Sequence, residues 1–104
     1  MKRYNLAIAE AAEADLEEIA DYISHELKEP ETALKQLTRI EEAMTTLEEL
    51  PERYSLVQDK YLAAKGIRKL PIDNYLIFYN INKSINTINI ARVLHERRDW
   101  ESIL

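Results

Sequence analysis

The sequence contains no cysteine, a single glycine and three prolines, and each shortage excludes a class of protein. Without cysteine the chain has no disulfide framework and no thiolate for catalysis or metal binding. One glycine, Gly66, is too few for a glycine-rich phosphate loop or a serine nucleophile elbow. Because a cysteine-free chain suits a reducing compartment, we expect a cytoplasmic protein.

Long hydrophobic runs are also missing. No stretch approaches the roughly 18 apolar residues of a membrane-spanning helix, and the short apolar stretch near the N-terminus favours a strand over a signal peptide. No group of His, Asp and Glu has the spacing of metal ligands. We therefore expect no metal, no other cofactor and no membrane partner.

What remains is a globular composition with an uneven charge. The 104 residues are 46% hydrophobic and 32% charged, which predicts a single domain over residues 1–104. Residues 1–50 hold five Lys/Arg and thirteen Asp/Glu, a net charge of −8, whereas residues 51–104 hold nine and six, a net charge of +3. Either the second half presents a surface for an anionic or acidic partner, or the first half simply contains two solvated acidic helices.

Apolar residues at three- and four-residue steps predict two amphipathic helices, over residues 10–27 and 30–50. Pro30 fits the first position of the second helix, and Pro51 ends it. The short connection between them predicts an antiparallel helical hairpin. The predicted core consists of Leu16, Ile19, Ile23, Leu37, Ile40, Met44, Leu47, Ile77, Ile88 and Ile90.

Strands are predicted over residues 3–8, 67–72, 74–81 and 85–94. Pro71 indicates an edge strand or an irregular end, while residues 74–81 are rich in β-formers on both faces and indicate a central strand. The predicted fold is therefore α+β, in the order β-α-α-β-β-β, with a helical hairpin packed on a small, mainly antiparallel sheet. The long connection over residues 52–65 is expected to contain local structure.

The densest group of chemically capable side chains lies in residues 92–100. Guanidinium groups bind phosphate in a bidentate manner and an imidazole can move a proton, but the arginines could equally form ion pairs and His95 could be structural. Period-two alternation places Arg92 on the face of Ile88 and Ile90, which requires either a wet strand end or a bulge. Trp100 is spaced helically with the last residues, which predicts that it pins the tail to the body.

Three motifs, in order, resemble those of the RelE/ParE superfamily of bacterial toxins, often labelled plasmid-stabilisation proteins. They are Gly66-Ile67-Arg68, the strand Tyr75-Leu76-Ile77-Phe78-Tyr79, and Arg92-Val93-Leu94-His95 followed by Arg98-Asp99-Trp100. The resemblance implies the toxin of a type II toxin–antitoxin system, which inhibits growth and is neutralised by a protein antitoxin. It also implies an antitoxin segment that adds a helix or strand to this domain, in a homodimer or a hetero-oligomer.

Two mechanisms occur in the superfamily, and the sequence departs from one of them. RelE-like members are metal-independent endoribonucleases that cut mRNA on the ribosome, whereas ParE-like members inhibit DNA gyrase. Leu76 stands where, by our placement of the motif, the nuclease carries an arginine, and no tyrosine lies beyond Tyr79. An acidic chain is also a poor ligand for the ribosome. The departures favour gyrase inhibition, with a non-toxic relative that only binds antitoxin as a further alternative.

The resemblance and the tail chemistry together nominate the site residues. If the chain is a nuclease, and so an enzyme, we expect His95, Arg92 and Arg97 to be catalytic. In either case the residues expected to bind the target are Arg68, Arg92, His95, Arg97, Arg98 and Trp100.

Overall fold

A computed structural model describes residues 3–104 as four strands and four α-helices joined by shorter helical turns. The strands are β1 (Asn5–Ile8), β2 (Arg68–Ile72), β3 (Tyr75–Asn82) and β4 (Thr87–His95). The α-helices are α1 (Glu10–Asp21), α2 (Pro30–Thr45), α3 (Lys60–Ala64) and α4 (Trp100–Ile103). A π-helical turn (Tyr22–Glu26) extends α1, and 3₁₀ turns occupy Thr46–Glu48 and Pro51–Arg53.

The strands form one sheet in the order β1-β4-β3-β2. β1 is parallel to β4, and the other two pairings are antiparallel. The sheet is therefore mainly antiparallel, with β3 in its interior and the Pro71-containing strand β2 at one edge, as the sequence predicts.

The helical hairpin of α1 and α2 covers one face of this sheet, and the main core lies between them. Eight predicted core residues are buried there: Ile19, Ile23, Ile40, Met44, Leu47, Ile77, Ile88 and Ile90. Leu16 packs against this core while partly buried. The prediction for Leu37 was wrong, because the buried line of α2 runs through Ala33, Ile40 and Met44 and leaves Leu37 half-buried at its side.

The second helix is shorter than predicted. It ends at Thr45, where the hydroxyl groups of Thr45 and Thr46 donate to carbonyl oxygens one turn back and compete with regular helix geometry. Leu50 then adopts a left-handed conformation (φ 51°) immediately before Pro51, which disfavours a right-handed helical residue in front of it. The chain turns here toward the opposite side of the sheet.

The predicted local structure within residues 52–65 is α3, which has a defined start and stop. Its N-cap, Asp59, accepts a hydrogen bond from the Leu62 N–H, 3.0 Å away. At its other end Gly66 has φ 78°, and the N–H groups of Gly66 and Ile67 donate to the carbonyls of Ala63 and Leu62. This is a Schellman motif, which needs a residue that tolerates positive φ.

Together, α3 and α4 cover the opposite face of the sheet. A second cluster lies beneath them, formed by Val57, Leu62, Ile67, Leu76, Phe78 and Leu94. Trp100 packs on it with its ring centroid 5.1 Å from that of Phe78, so the predicted pinning of the tail is confirmed. Within residues 3–104, none of the helices combines the length and apolarity needed to cross a membrane.

Candidate functional site

A β-bulge in β4 determines how the chain leaves the sheet. Tyr79 pairs with Ile90, but the preceding residue of β3, Phe78, pairs with Arg92. Ala91 is therefore an extra residue in β4, which bends the strand and resets its alternation. Of the two explanations open for the position of Arg92, the bulge is the one observed.

Beyond the bulge, β4 has no strand on one side, and α1 supplies the missing partner. β1 ends at Ile8, which is paired with Ile90. Past that point Asp15 of α1 accepts the Val93 N–H at 2.9 Å and two guanidinium N–H groups of Arg92 at 2.7 Å each. The Asp15 side chain is only 5% exposed.

The buried carboxylate of this ion pair has the hydrogen-bond donors that it needs. The Asp15 carboxylate receives three hydrogen bonds, as a buried charge requires. The hydrogen bond with Asp15 raises the pKa of Arg92, burial opposes that rise, and the charges of Asp15 and Glu18 add to it. The guanidinium of Arg92 is therefore held by Asp15 within the protein and is not free to bind a ligand.

Sequence reasoning missed Asp15, although a signal was available. Ala12, Asp15, Ile19 and Ile23 follow one another at helical spacing and are all buried. A carboxylate within an apolar helical stripe needs a cation or several donors when it is buried. The spacing that predicted the helix could therefore also have indicated a partner for Asp15.

A groove of about 390 Å³ lies between α1 and the adjoining ends of β3 and β4. Its lining combines apolar, phenolic and charged groups: Asp15, Glu18, Ile19, Tyr22, Tyr75, Val93, Leu94, His95 and Arg98. Two of the residues nominated from the sequence, His95 and Arg98, are therefore brought together here.

His95 is oriented by two contacts. Its ring meets Tyr75 edge-on, with centroids 5.4 Å apart, and its Nδ1 accepts the Arg97 backbone N–H at 3.1 Å. Because Nδ1 is the acceptor, the neutral ring carries its proton on Nε2. Burial, with a smaller contribution from Tyr22, raises the pKa of Tyr75, so its phenol remains protonated at neutral pH.

The other nominated residues lie outside the groove. Arg68 donates to the carbonyl oxygens of Tyr54 at 2.7 Å and Glu52 at 3.3 Å, where it fixes the chain entering α3. Arg97 is exposed in the turn before α4, and Trp100 lies on the opposite face of the sheet. The six residues therefore form no single site.

The groove can bind through hydrogen bonds more readily than it can transfer protons. One imidazole faces a phenol that stays protonated, and the cation Arg92 already serves a carboxylate. Burial raises the pKa of Tyr79 to about 12, and its hydroxyl donates to the Pro51 carbonyl oxygen at 2.6 Å. Among residues 3–104, no cluster of His, Asp and Glu is arranged to hold a metal ion.

Comparisons with known proteins agree with this architecture. A family model for the ParE toxin of the type II toxin–antitoxin system parDE matches residues 6–100. Comparison with curated protein sequences gave no match.

The fold occurs in solved structures of toxin–antitoxin systems from two organisms, among others. One is the chromosomal ParDE toxin–antitoxin system from P. aeruginosa, at 23% identity and a TM-score of 0.73, covering 89% of this chain and 96% of that one. The other is the RelBE2 toxin–antitoxin complex from Mycobacterium tuberculosis, at 21% identity and a TM-score of 0.67, covering 91% and 93%. The predicted α+β architecture is confirmed by these likenesses.

Proposed function

Since this chain belongs to the family of ParE toxins of type II toxin–antitoxin systems, we propose that it arrests bacterial growth by inhibiting DNA gyrase. The single observation that carries this choice is the Asp15–Arg92 ion pair. Arg92 is the cation that a nuclease would place on the scissile phosphate, and here it is already paired with a carboxylate of the chain. The chain is proposed to act in the cytoplasm, as a single domain over residues 1–104.

Metal-independent cleavage of RNA needs a base, an acid and unpaired cations around one phosphate. In the groove, His95 is the one imidazole, and Tyr75 has a raised pKa that makes it a poor base at neutral pH. Arg97 lies outside the groove, which leaves Arg98 as the one unpaired arginine among the described lining residues. The arrangement supports binding better than it supports catalysis.

A binding inhibitor needs anchors rather than proton carriers. Arg97 and Arg98 are exposed and have no ion-pair partner in the described part of the chain, and Trp100 follows them after Asp99. Arginine and tryptophan are enriched at binding hot spots. We propose that these three residues, with His95 beside them, contact the target, while Arg68 and Arg92 support them through the contacts they make within the chain.

A protein antitoxin is the second part of the proposal. The two solved structures described above come from toxin–antitoxin systems, and this chain has surfaces that an antitoxin could use. β1 is an edge strand whose residues are mostly exposed, which suits the addition of a strand. In the groove, Tyr22 is 56% exposed, which suits a docked helix.

The test is to induce the protein alone in bacteria and to follow DNA replication and translation in time. We expect replication to stop first and mRNA to remain intact. Replacing Arg97→Ala together with Arg98→Ala should weaken the arrest, whereas His95→Ala should leave it largely intact, because the arginines and Trp100 are the anchors of the contact.

The alternative with a specific observation in its favour is a RelE-like ribonuclease, because His95 and the exposed Arg98 line the same groove. Ribosome-dependent mRNA cleavage that disappears in His95→Ala would establish that alternative. Growth that continues normally while the folded protein accumulates would instead identify a non-toxic relative that binds only its antitoxin.

A further inference from the structure

The positive charge of the second half of the chain is concentrated in one segment that the tail does not include. Residues 57–70 contain four Lys/Arg and one Asp, a net charge of +3, which equals the net charge of all of residues 51–104. Residues 92–101 contain three arginines and three carboxylates and are neutral as a group. The surplus of positive charge therefore lies in the segment that contains α3 and most of β2.

Lys60 at the start of α3 and Lys65 just after its end flank an exposed tyrosine in the sequence. Leu62 is buried in the cluster on the opposite face, which turns Lys60, Tyr61 and Lys65 toward solvent. Tyr61 is 68% exposed, and the Lys65 ammonium lies 4.4 Å from the centroid of its ring. Such a pair leaves the ammonium available to a second, anionic partner.

Lys69 lies on the same face of the sheet, next to the tail. It lies on β2 opposite Phe78, and its ammonium is 5.5 Å from the ring centroid of Trp100. Within the described residues, Lys60, Lys65 and Lys69 form no ion pair, and the carboxylate of Asp59 already caps α3. These cations are not neutralised by the chain itself.

We propose that this surface, the α3–β2 cationic face formed by Lys60, Tyr61, Lys65, Lys69 and Trp100, binds an acidic segment of the antitoxin. The proposal rests on the proposed function, because it takes the antitoxin from there. It adds a mechanism of neutralisation: a segment bound on this face covers Trp100 and blocks the tail that contacts the target.

Two observations favour a protein segment over a nucleic acid. Both aromatic rings are already contacted by a lysine ammonium, which reduces the surface left for stacking bases. The chain as a whole carries a net charge of −5, which repels a long polyanion more than a short acidic segment. A tyrosine and a tryptophan among cations suit a peptide with acidic and apolar residues.

The first experiment compares two double charge reversals of equal size. Lys60→Glu with Lys65→Glu changes the cationic face, and Lys28→Glu with Lys35→Glu makes the same charge change at exposed positions on the hairpin side. Coexpressed with the antitoxin, the first variant should escape neutralisation and lose about 100-fold in affinity, as repulsion between like charges predicts. The second should remain neutralised, with an affinity within about threefold of wild type, because its changes lie away from the proposed contact.

Equal neutralisation of both variants would overturn the proposal. Each variant is also expressed without antitoxin, where the first should still arrest growth, since the target-binding tail is unchanged. A wild-type chain that is harmless alone, or that has no antitoxin, refutes the proposed function instead, and the two failures are thereby distinguished.

A second measurement does not depend on toxicity. Trp100 is the only tryptophan in the sequence, so intrinsic tryptophan fluorescence reports on this face directly. A glutamate-rich peptide should change the emission in wild type and in the Lys28/Lys35 variant but not in the Lys60/Lys65 variant. A single-stranded oligonucleotide of equal charge that binds more tightly than the peptide would assign the face to nucleic acid and refute the proposal, as would no change with the peptide.

Discussion

The two faces of the sheet are covered in different ways. One face lies under α1 and α2, helices of 12 and 16 residues over a large buried cluster. The other lies under α3 and α4, helices of 5 and 4 residues over a smaller cluster with a half-buried tryptophan. Since buried apolar area is the main source of stability, the hairpin face should hold the fold together while the opposite face remains accessible to partners.

The charges follow the same division. The half of the sequence that forms the hairpin is strongly acidic, and the positive surplus lies on α3 and β2. Two oppositely charged sides allow one partner to be attracted to one side without competing for the other. The difference between the faces is open to measurement, beginning with their contributions to stability.

Neighbouring residues of β3 provide the largest expected effect. Ile77 is fully buried toward the hairpin, whereas Leu76 is 8% exposed and faces the small cluster. We expect Ile77→Ala to lower the free energy of unfolding by about 4 kcal/mol and Leu76→Ala by about 2 kcal/mol. Urea unfolding measures both, and equal losses would contradict the proposed division of stability.

The Asp15–Arg92 ion pair is the next test, because it joins the hairpin to the end of β4. Arg92→Ala leaves the buried Asp15 carboxylate without its cation and should cost about 3 kcal/mol in unfolding free energy. The control is Arg39→Ala, which removes a similar two-bond pair with Asp73 whose side chains are 58% and 32% exposed. Its loss should be much smaller, since exposed pairs contribute little.

The third test concerns Tyr79, whose hydroxyl links the core under the hairpin to the connection that leads to α3. Tyr79→Phe removes the hydrogen bond to the Pro51 carbonyl and should cost about 1 kcal/mol at neutral pH. The fold raises the pKa of Tyr79 to about 12, so the unfolded chain loses this proton first. Stability from this group is complete below pH 10 and should be lost between about pH 10 and 12. Chemical unfolding at pH 7 and pH 11 measures this effect. The free energy of unfolding should decrease less between the two pH values for the variant than for wild type.

The last test compares the four helices by amide hydrogen exchange, where we expect the smallest free-energy difference between the two faces. Residues of α3 and α4 have few buried side chains, so we expect their amides to exchange through local openings well below the global unfolding free energy. Amides of α1 and α2 that face the core should exchange only on global unfolding. Uniform protection across all four helices would show that the two faces unfold as one unit.

Hydrophobic periodicity was sufficient to predict the hairpin, the sheet and the interior position of β3, because burial dictates those patterns. It was not sufficient for the end of β4, since a bulge interrupts the alternation on which the prediction depends. α3 could have been predicted from the sequence, because Asp59 and Gly66 are ordinary start and stop residues for a helix. The groove could not be predicted, because it joins α1 to residues that follow more than fifty positions later.

The position of β4 also has a consequence for how the chain acquires its structure. β4 is the last strand to leave the ribosome, yet it lies between β1 and β3, and it pairs Thr87 with Asn5. Until it arrives, β1 has no neighbour in the sheet, and such distant pairing slows folding and prolongs the exposure of apolar surface. Because the groove is lined by Val93, His95 and Arg98, it cannot form before the end of β4 and the turn after it have been synthesised.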